Sequence, residues 1–149
     1  MIRKANVTDV KKIQKLINHY AKRGEMLPRS LNELYENIRD FVVYAEGKDI
    51  YGACAFHVDW EDLGEIKSLA VAKSKTGKGI GKKLLEYCLR EAKALKIKRV
   101  FALTYVPEFF EIFGFKVVNK KELPHKIWSE CIKCVYFTNC EEIAMMKEV

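Results

Sequence analysis

No stretch of this chain stays apolar for anything near the roughly 18 residues of a membrane-spanning helix. The N-terminus carries no secretory pattern either. Both absences exclude a membrane protein and point to the cytoplasm. There is no internal repeat and no low-complexity segment, which excludes solenoids and extended tails. The net charge of +7 is gathered in no single tail. It favours an anionic ligand, such as a phosphorylated cofactor, an acidic substrate or nucleic acid. What is present suits a soluble globular domain: 149 residues, 49% hydrophobic and 32% charged, enough for one core-forming domain over 1–149.

The most informative stretch runs from Glu65 to Leu85 and reads as strand, glycine-rich turn and helix. Leu69, Ala70 and Val71 close the strand, and Thr76-Gly77-Lys78-Gly79-Ile80-Gly81 form the turn. Ile80, Leu84, Leu85, Cys88, Ala92 and Leu95 then repeat at helical spacing. A helix that begins in glycines presents unpaired N–H groups and a positive dipole end, which suit phosphate. The turn lacks the Gly-Lys-Ser/Thr ending of a P-loop, and Gly77-x-Gly79-x-Gly81 does not have dinucleotide-fingerprint spacing. An ordinary strand-to-helix turn also fits it.

In chain order, Met1–Ala5 reads as a strand. Thr8 is the expected cap of a helix carrying Val10, Ile13, Leu16, Ile17 and Tyr20 and stopped by Gly24. Ser30 and Glu33 form a capping box for a second helix. Phe41–Ala45 and Ile50–Val58 read as a hairpin across Glu46-Gly47-Lys48-Asp49. After the long helix come a buried strand at Arg99–Leu103, a short helix at Pro107–Phe113, a strand at Phe115–Val118 and a last strand at Ile143–Met146. The order βααβββαβαβ, an irregular cysteine-containing segment and β predicts an α/β (α+β) fold with a mixed central sheet flanked by helices.

The turn resembles the pyrophosphate loop of the GNAT acetyltransferases, Gln/Arg-x-x-Gly-x-Gly/Ala, with Gly79 and Gly81 in place and Thr76 at the Gln/Arg position. Lys75 and Lys78 can supply the missing charge. The element order is that of the GNAT acyl-CoA N-acyltransferase fold. Leu27-Pro28-Arg29-Ser30, Glu65-Ile66-Lys67-Ser68-Leu69-Ala70-Val71, Phe101-Ala102-Leu103-Thr104 with Phe109-Phe110, Gly114-Phe115 and Glu122-Leu123-Pro124-His125-Lys126-Ile127-Trp128 narrow the match. They resemble the acetyltransferase domain of the N-acetylglutamate synthases, most of all the short bacterial form without an amino-acid-kinase domain or its arginine site.

That resemblance implies acetyl transfer from acetyl-CoA to the α-amino group of L-glutamate. The amine must lose a proton and the developing oxyanion must meet a donor. Strand alternation puts Glu65 and Lys67 on one face, with Leu69 and Val71 further along it. Glu65 is the candidate base, through a water, and a solvated strand carboxylate is the plainer alternative. The backbone of Leu69, Ala70 and Val71 and the loop Thr76, Gly77, Lys78, Gly79, Ile80, Gly81 and Lys82 are the expected cofactor contacts. Many GNAT enzymes carry a tyrosine where this chain has Phe110, assigned here to cofactor contact because it cannot donate a proton. Thr104 or Tyr105 would then serve the leaving thiol, although a strand-end hydroxyl often only caps backbone. Arg29, Ser30, Lys67 and Lys126 are the candidates for holding the two carboxylates of glutamate. Partners are these small molecules, with no nucleic acid or membrane and with room for a homodimer.

Cys54 and Cys88 fall in apolar patterns and read as core. Cys131-x-x-Cys134 with Cys140, and His125 nearby, would make a zinc cluster, yet they offer one clean ligand pair where zinc sites use two. Free thiols come first, zinc next and a disulfide last. His57 and His125 show no partners of a nucleophilic triad in the sequence, and His19 reads as a helix-face residue. Two other functions stay open: a GNAT enzyme with a different amine acceptor, and a basic nucleic-acid-binding module. The second is weakened because basic and acidic residues alternate and no aromatic stacking face lies among them.

Overall fold

The computed structural model describes residues 1–123 and 142–149. Lys126, His125 and the cysteines at 131, 134 and 140 lie outside the described residues. Eleven elements organise the rest: β1 (Ile2–Lys4), α1 (Val10–Ala21), α2 (Leu31–Glu36), β2 (Phe41–Glu46), β3 (Asp49–Trp60), β4 (Leu63–Val71), α3 (Ile80–Ala94), β5 (Arg99–Thr104), α4 (Pro107–Glu111), β6 (Lys116–Val117) and β7 (Ile143–Glu148). One seven-stranded sheet runs in the order β1-β2-β3-β4-β5-β7-β6. Its neighbours are antiparallel except β4 and β5, which are joined by the α3 crossover and run parallel.

Helices cover both faces, as alternating apolar strand residues require. On one face α3 contributes Ile80, Leu84, Leu85, Cys88 and Ala92 to a core with Val42, Cys54, Phe56, Ile66, Val100 and Ala102. On the other, Val10, Ile13 and Ile17 of α1 and Leu34 of α2 pack on Phe41, Val43, Ala53, Ala55 and Ala70. Cys54 and Cys88 are free, fully buried thiols with sulfurs 3.7 Å apart. Among the described residues no helix is long and apolar enough to cross a membrane, and no three His, Cys, Asp or Glu side chains are grouped for a metal.

Three local expectations change. Asn6, not Thr8, is the first cap: its side chain accepts the Thr8 N–H, and Asp9 closes a capping box around a single 3-10 turn that leads into α1. Leu95 is 58% exposed at the end of α3, and Ile97 enters the core in its place. The third change bears on the site. Ala53 and Ala55, two apart on β3, face Ala70 and Lys67, three apart on β4. The extra residue is a bulge at Ser68, whose φ of 56° lies in the left-handed region. Alternation therefore breaks there. Leu69 and Val71 join the α3 core, and Ala70 takes the face that Glu65 and Lys67 began.

Candidate active site

The bulge coincides with the place where the sheet opens. The parallel register of β4 and β5 covers Leu63–Ile66 against Arg99–Ala102. Beyond it the strands part, β4 staying with β3 and β5 with β7. A gap in the middle of a sheet exposes strand backbone to a ligand, and here it begins beside Ser68.

At the far end of β4 a 3-10 turn over Lys73–Lys75 leads into the glycine loop. Gly77 and Gly79 both hold φ of 78°, a conformation that any side chain would strain. Gly79 is the cap of α3, with no side chain on the helix end, so the N–H groups of the first turn, at Ile80, Gly81 and Lys82, point out of it. Ile80 itself is buried in the core, and only its backbone serves the loop. Thr76 is exposed and its hydroxyl donates to the Lys73 carbonyl. Lys75 is committed to Glu46 at 2.8 Å and sits over the Tyr51 ring, whereas Lys78 and Lys82 are exposed beside the helix end. Phe110 is 4% exposed and packs edge-on against Phe115 in the core. Its neighbour Phe109 is the residue that reaches the loop, with ring atoms 3.6 and 3.7 Å from a Cβ built on Gly81. The helical turn of α4 decides which of the two consecutive phenylalanines faces the loop, and composition alone could not.

On the opposite side of the sheet a cleft of about 110 Å³ is lined by Arg29, Glu33, Asp40, His57, Lys67 and Ser68, with Leu34, Asn37, Phe41 and Ala55. Arg29 and Lys67, 38 positions apart, thus meet in one cavity. The Arg29 side chain is 17% exposed; Nη1 donates to Glu33 Oε2 at 3.3 Å, and the buried Nε has no partner among the described residues. Ser30 spends its hydroxyl on the α2 cap, accepting the Glu33 N–H at 3.1 Å. Glu65 is 7% exposed, with Oε1 3.8 Å from Lys67 Nζ, and it lies beside the cleft without lining it. Thr104 is buried and its Oγ1 accepts the Val106 N–H at 2.9 Å, the strand-end capping role. By alternation Thr104 shares the α3 face with Val100 and Ala102, opposite Glu65, which pairs with Phe101. Tyr105 follows it, half-buried.

Asp40 and His57 were not predicted for the site. His57 Nδ1 lies 2.6 Å from Asp40 Oδ2, and this hydrogen bond holds the imidazole pKa above its ordinary value against partial burial and the charge of Lys67. The hairpin register carried the signal. With Phe41 opposite Ala55, the residue before β2 falls next to the positions just after Ala55.

These features place the chain in a class. The Acetyltransferase (GNAT) family model matches residues 9–115, and the chain belongs to that family. Its fold is the GNAT fold, and acetyl-CoA is the cosubstrate that the family uses. An uncharacterised N-acetyltransferase of Chlorobaculum tepidum is 37% identical over 98% of this chain and 94% of its own length. An amino-acid acetyltransferase of Mycobacterium tuberculosis is 38% identical over 87% of this chain and 76% of its own. The N-acetylglutamate synthase of Neisseria gonorrhoeae, solved with coenzyme A and N-acetyl-glutamate, superposes with a TM-score of 0.91 at 27% identity. That match covers 99% of this chain and 34% of the Neisseria protein.

Proposed function

We propose that this acetyltransferase moves the acetyl group of acetyl-CoA to the α-amino group of L-glutamate, as an N-acetylglutamate synthase at the entry to arginine biosynthesis. One observation carries the reading: Arg29 and Lys67 converge on one cleft at the sheet opening, and the buried Arg29 Nε is unmatched among the described residues. A dicarboxylate supplies two anions for two cations. An unpaired buried donor is costly, and a carboxylate can take it together with a second guanidinium N–H. The M. tuberculosis relative, an amino-acid acetyltransferase, and the Neisseria synthase support the same acceptor class.

In this reading the CoA pyrophosphate meets the N–H groups of Gly79, Ile80, Gly81 and Lys82, with Lys78 adding charge and Phe109 flanking Gly81. The pantetheine follows the β4 edge at Leu69, Ala70 and Val71 into the gap, and the same backbone answers the oxyanion. The acceptor enters from the Arg29 side. Deprotonation falls to Glu65, through a water, on the rung of the β3–β4 ladder that it shares with His57. Thr104 and Tyr105 stand at the end of β5 for the leaving thiol, whose ordinary pKa near 8.5 demands little help. Lys126 keeps its place as a candidate carboxylate contact.

The test compares glutamate, glutamine and the methyl esters of glutamate as acceptors at fixed acetyl-CoA. Glutamate should have the highest kcat/KM, with the difference in KM. Equal use of glutamine would remove the two-carboxylate reading.

A further inference from the structure

We propose that His57, as the imidazolium, is a third cation for the acceptor's carboxylates, so that the preference for glutamate over glutamine depends on pH. The inference deepens the glutamate reading and rests on it; proton removal stays with Glu65. Arg29 and Lys67 are each already met by a carboxylate of the protein. Arg29 Nη1 pairs with Glu33 Oε2 at 3.3 Å, and Lys67 Nζ lies 3.8 Å from Glu65 Oε1. Asp40 lines the same cleft and adds a further negative charge. With His57 neutral, carboxylates therefore outnumber cations around the acceptor, and a dicarboxylate enters a site of net negative charge. Protonating His57 restores the balance, and in a partly desolvated cleft one charge at short range weighs heavily.

The hydrogen bond to Asp40 decides which ring nitrogen a ligand meets. His57 lines the cleft, and its Nδ1 lies 2.6 Å from Asp40 Oδ2, so Nε2 is the nitrogen left for the acceptor. In the imidazolium both nitrogens donate, and Nε2–H suits a carboxylate oxygen. In the neutral ring Nδ1–H stays on Asp40 and Nε2 carries a lone pair. That lone pair repels a carboxylate and accepts an amide N–H. One proton on His57 thus shifts the cleft from suiting glutamine to suiting glutamate.

The surroundings favour the charged form. Asp40 raises the imidazole pKa most, Asp59 adds weakly, and partial burial and Lys67 oppose them, with a net rise above the ordinary value. Glu65 faces His57 across the β3–β4 ladder, and Arg29 and Glu33 border the same cleft. The side chain is 35% exposed, so it exchanges its proton with solvent.

The experiment is the ratio of kcat/KM for glutamate to kcat/KM for glutamine from about pH 6 to 9, where both carboxylates of glutamate stay ionised. The two acceptors share the α-amine, Glu65 and the glycine loop, so those pH dependences cancel in the ratio. Wild type, His57→Gln and Asp40→Asn are compared, each checked for folding by thermal melt. In wild type the ratio should fall about tenfold as His57 loses its proton, the size of one hydrogen bond to a charged group at a partly exposed site. Arg29 and Lys67 still hold glutamate at high pH, so the preference narrows without vanishing. In His57→Gln the ratio should be flat in pH, at the lower wild-type level. In Asp40→Asn the fall should come at lower pH, since loss of the carboxylate lowers the imidazole pKa. A merely structural Asp40–His57 pair would move none of these. A flat ratio in wild type overturns the proposal, as does a pH-dependent ratio that survives in His57→Gln. If wild type acetylates another amino acid and not glutamate, the acceptor reading fails separately. The His57 ring is then titrated by NMR with and without that amino acid: a raised imidazole pKa on binding supports the third cation, and an unchanged one overturns it.

Discussion

Replacing Arg29 by alanine separates a substrate contact from a structural one. Removing one partner of a desolvated charge pair costs about 2–5 kcal/mol, because the other charge is left buried without compensation. The Arg29 side chain is 17% exposed, so the lower part of that range applies. About 2–3 kcal/mol corresponds to a KM for glutamate raised about 30- to 150-fold, at 1.4 kcal/mol per decade. The structural cost is small by comparison. Within the fold Arg29 pairs with Glu33, a partner 52% exposed, at i,i+4 spacing. Such pairs contribute about 0.3–0.5 kcal/mol, which for a domain of this size moves Tm by no more than about 2 °C. The KM for acetyl-CoA should stay put, since the glycine loop lies elsewhere. Arg29→Lys should recover part of the loss, because it keeps the charge and gives up the two-pronged donor. Steady-state kinetics in both substrates, with a melt for each variant, gives the answer. Equal damage to both KM values, or a Tm drop above about 5 °C, would make Arg29 a loop anchor and refute the reasoning.

Three further outcomes follow from local geometry. Gly79→Val puts a β-branched residue at φ 78°, where nothing lies within 4 Å of the new Cβ; backbone strain of about 1–3 kcal/mol should lower Tm modestly while CoA affinity by calorimetry falls sharply, and unchanged CoA affinity in the folded variant would remove the loop from the cofactor site. Gly64→Ala would set a Cβ 2.4 Å from Phe56 Cζ, a ring only 3% exposed, so denaturant unfolding should show a loss of about 1–3 kcal/mol, and an unchanged midpoint would mean the ring moves freely. Asp9, 4% exposed and held bidentately by Arg3 at 2.7 and 2.9 Å, has its carboxyl pKa depressed chiefly by that hydrogen bond. Its contribution is therefore present above the ordinary carboxylate pKa of about 3.9 and lost as pH falls through the lower folded value. The Tm gap between wild type and Asp9→Asn should close below about pH 4, and a gap independent of pH would contradict the assignment.

Much of the fold was legible because its signals are local. The α3 stripe, the Ser30–Glu33 cap and the Glu46–Asp49 turn each declare themselves within a few residues. The site was legible where it is backbone chemistry, as at Gly77 and Gly79, whose left-handed angles are what glycine permits. It was less legible where one residue changes parity. Alternation from Glu65 predicts Leu69 and Val71 beside Lys67, and the bulge at Ser68 sends them to the other face, because sequence does not announce which residue of a strand will be skipped. Phe109 and Phe110 trade places for a similar reason, since both satisfy an apolar pattern. Asp40 and His57 are 17 positions apart and become partners only through the β2–β3 register. Arg29 and Lys67 were found through the family resemblance, and their meeting in one cleft is a tertiary fact.

The central claim is acetylation of glutamate at its α-amino group. The most direct test incubates the protein with acetyl-CoA and each of the common amino acids in turn, follows release of free CoA thiol, and identifies each product by mass spectrometry. L-glutamate should give the fastest thiol release and yield N-acetylglutamate, with glutamine well behind. Preference for another amino acid, or an acetyl group found anywhere but on the α-nitrogen of glutamate, would contradict it.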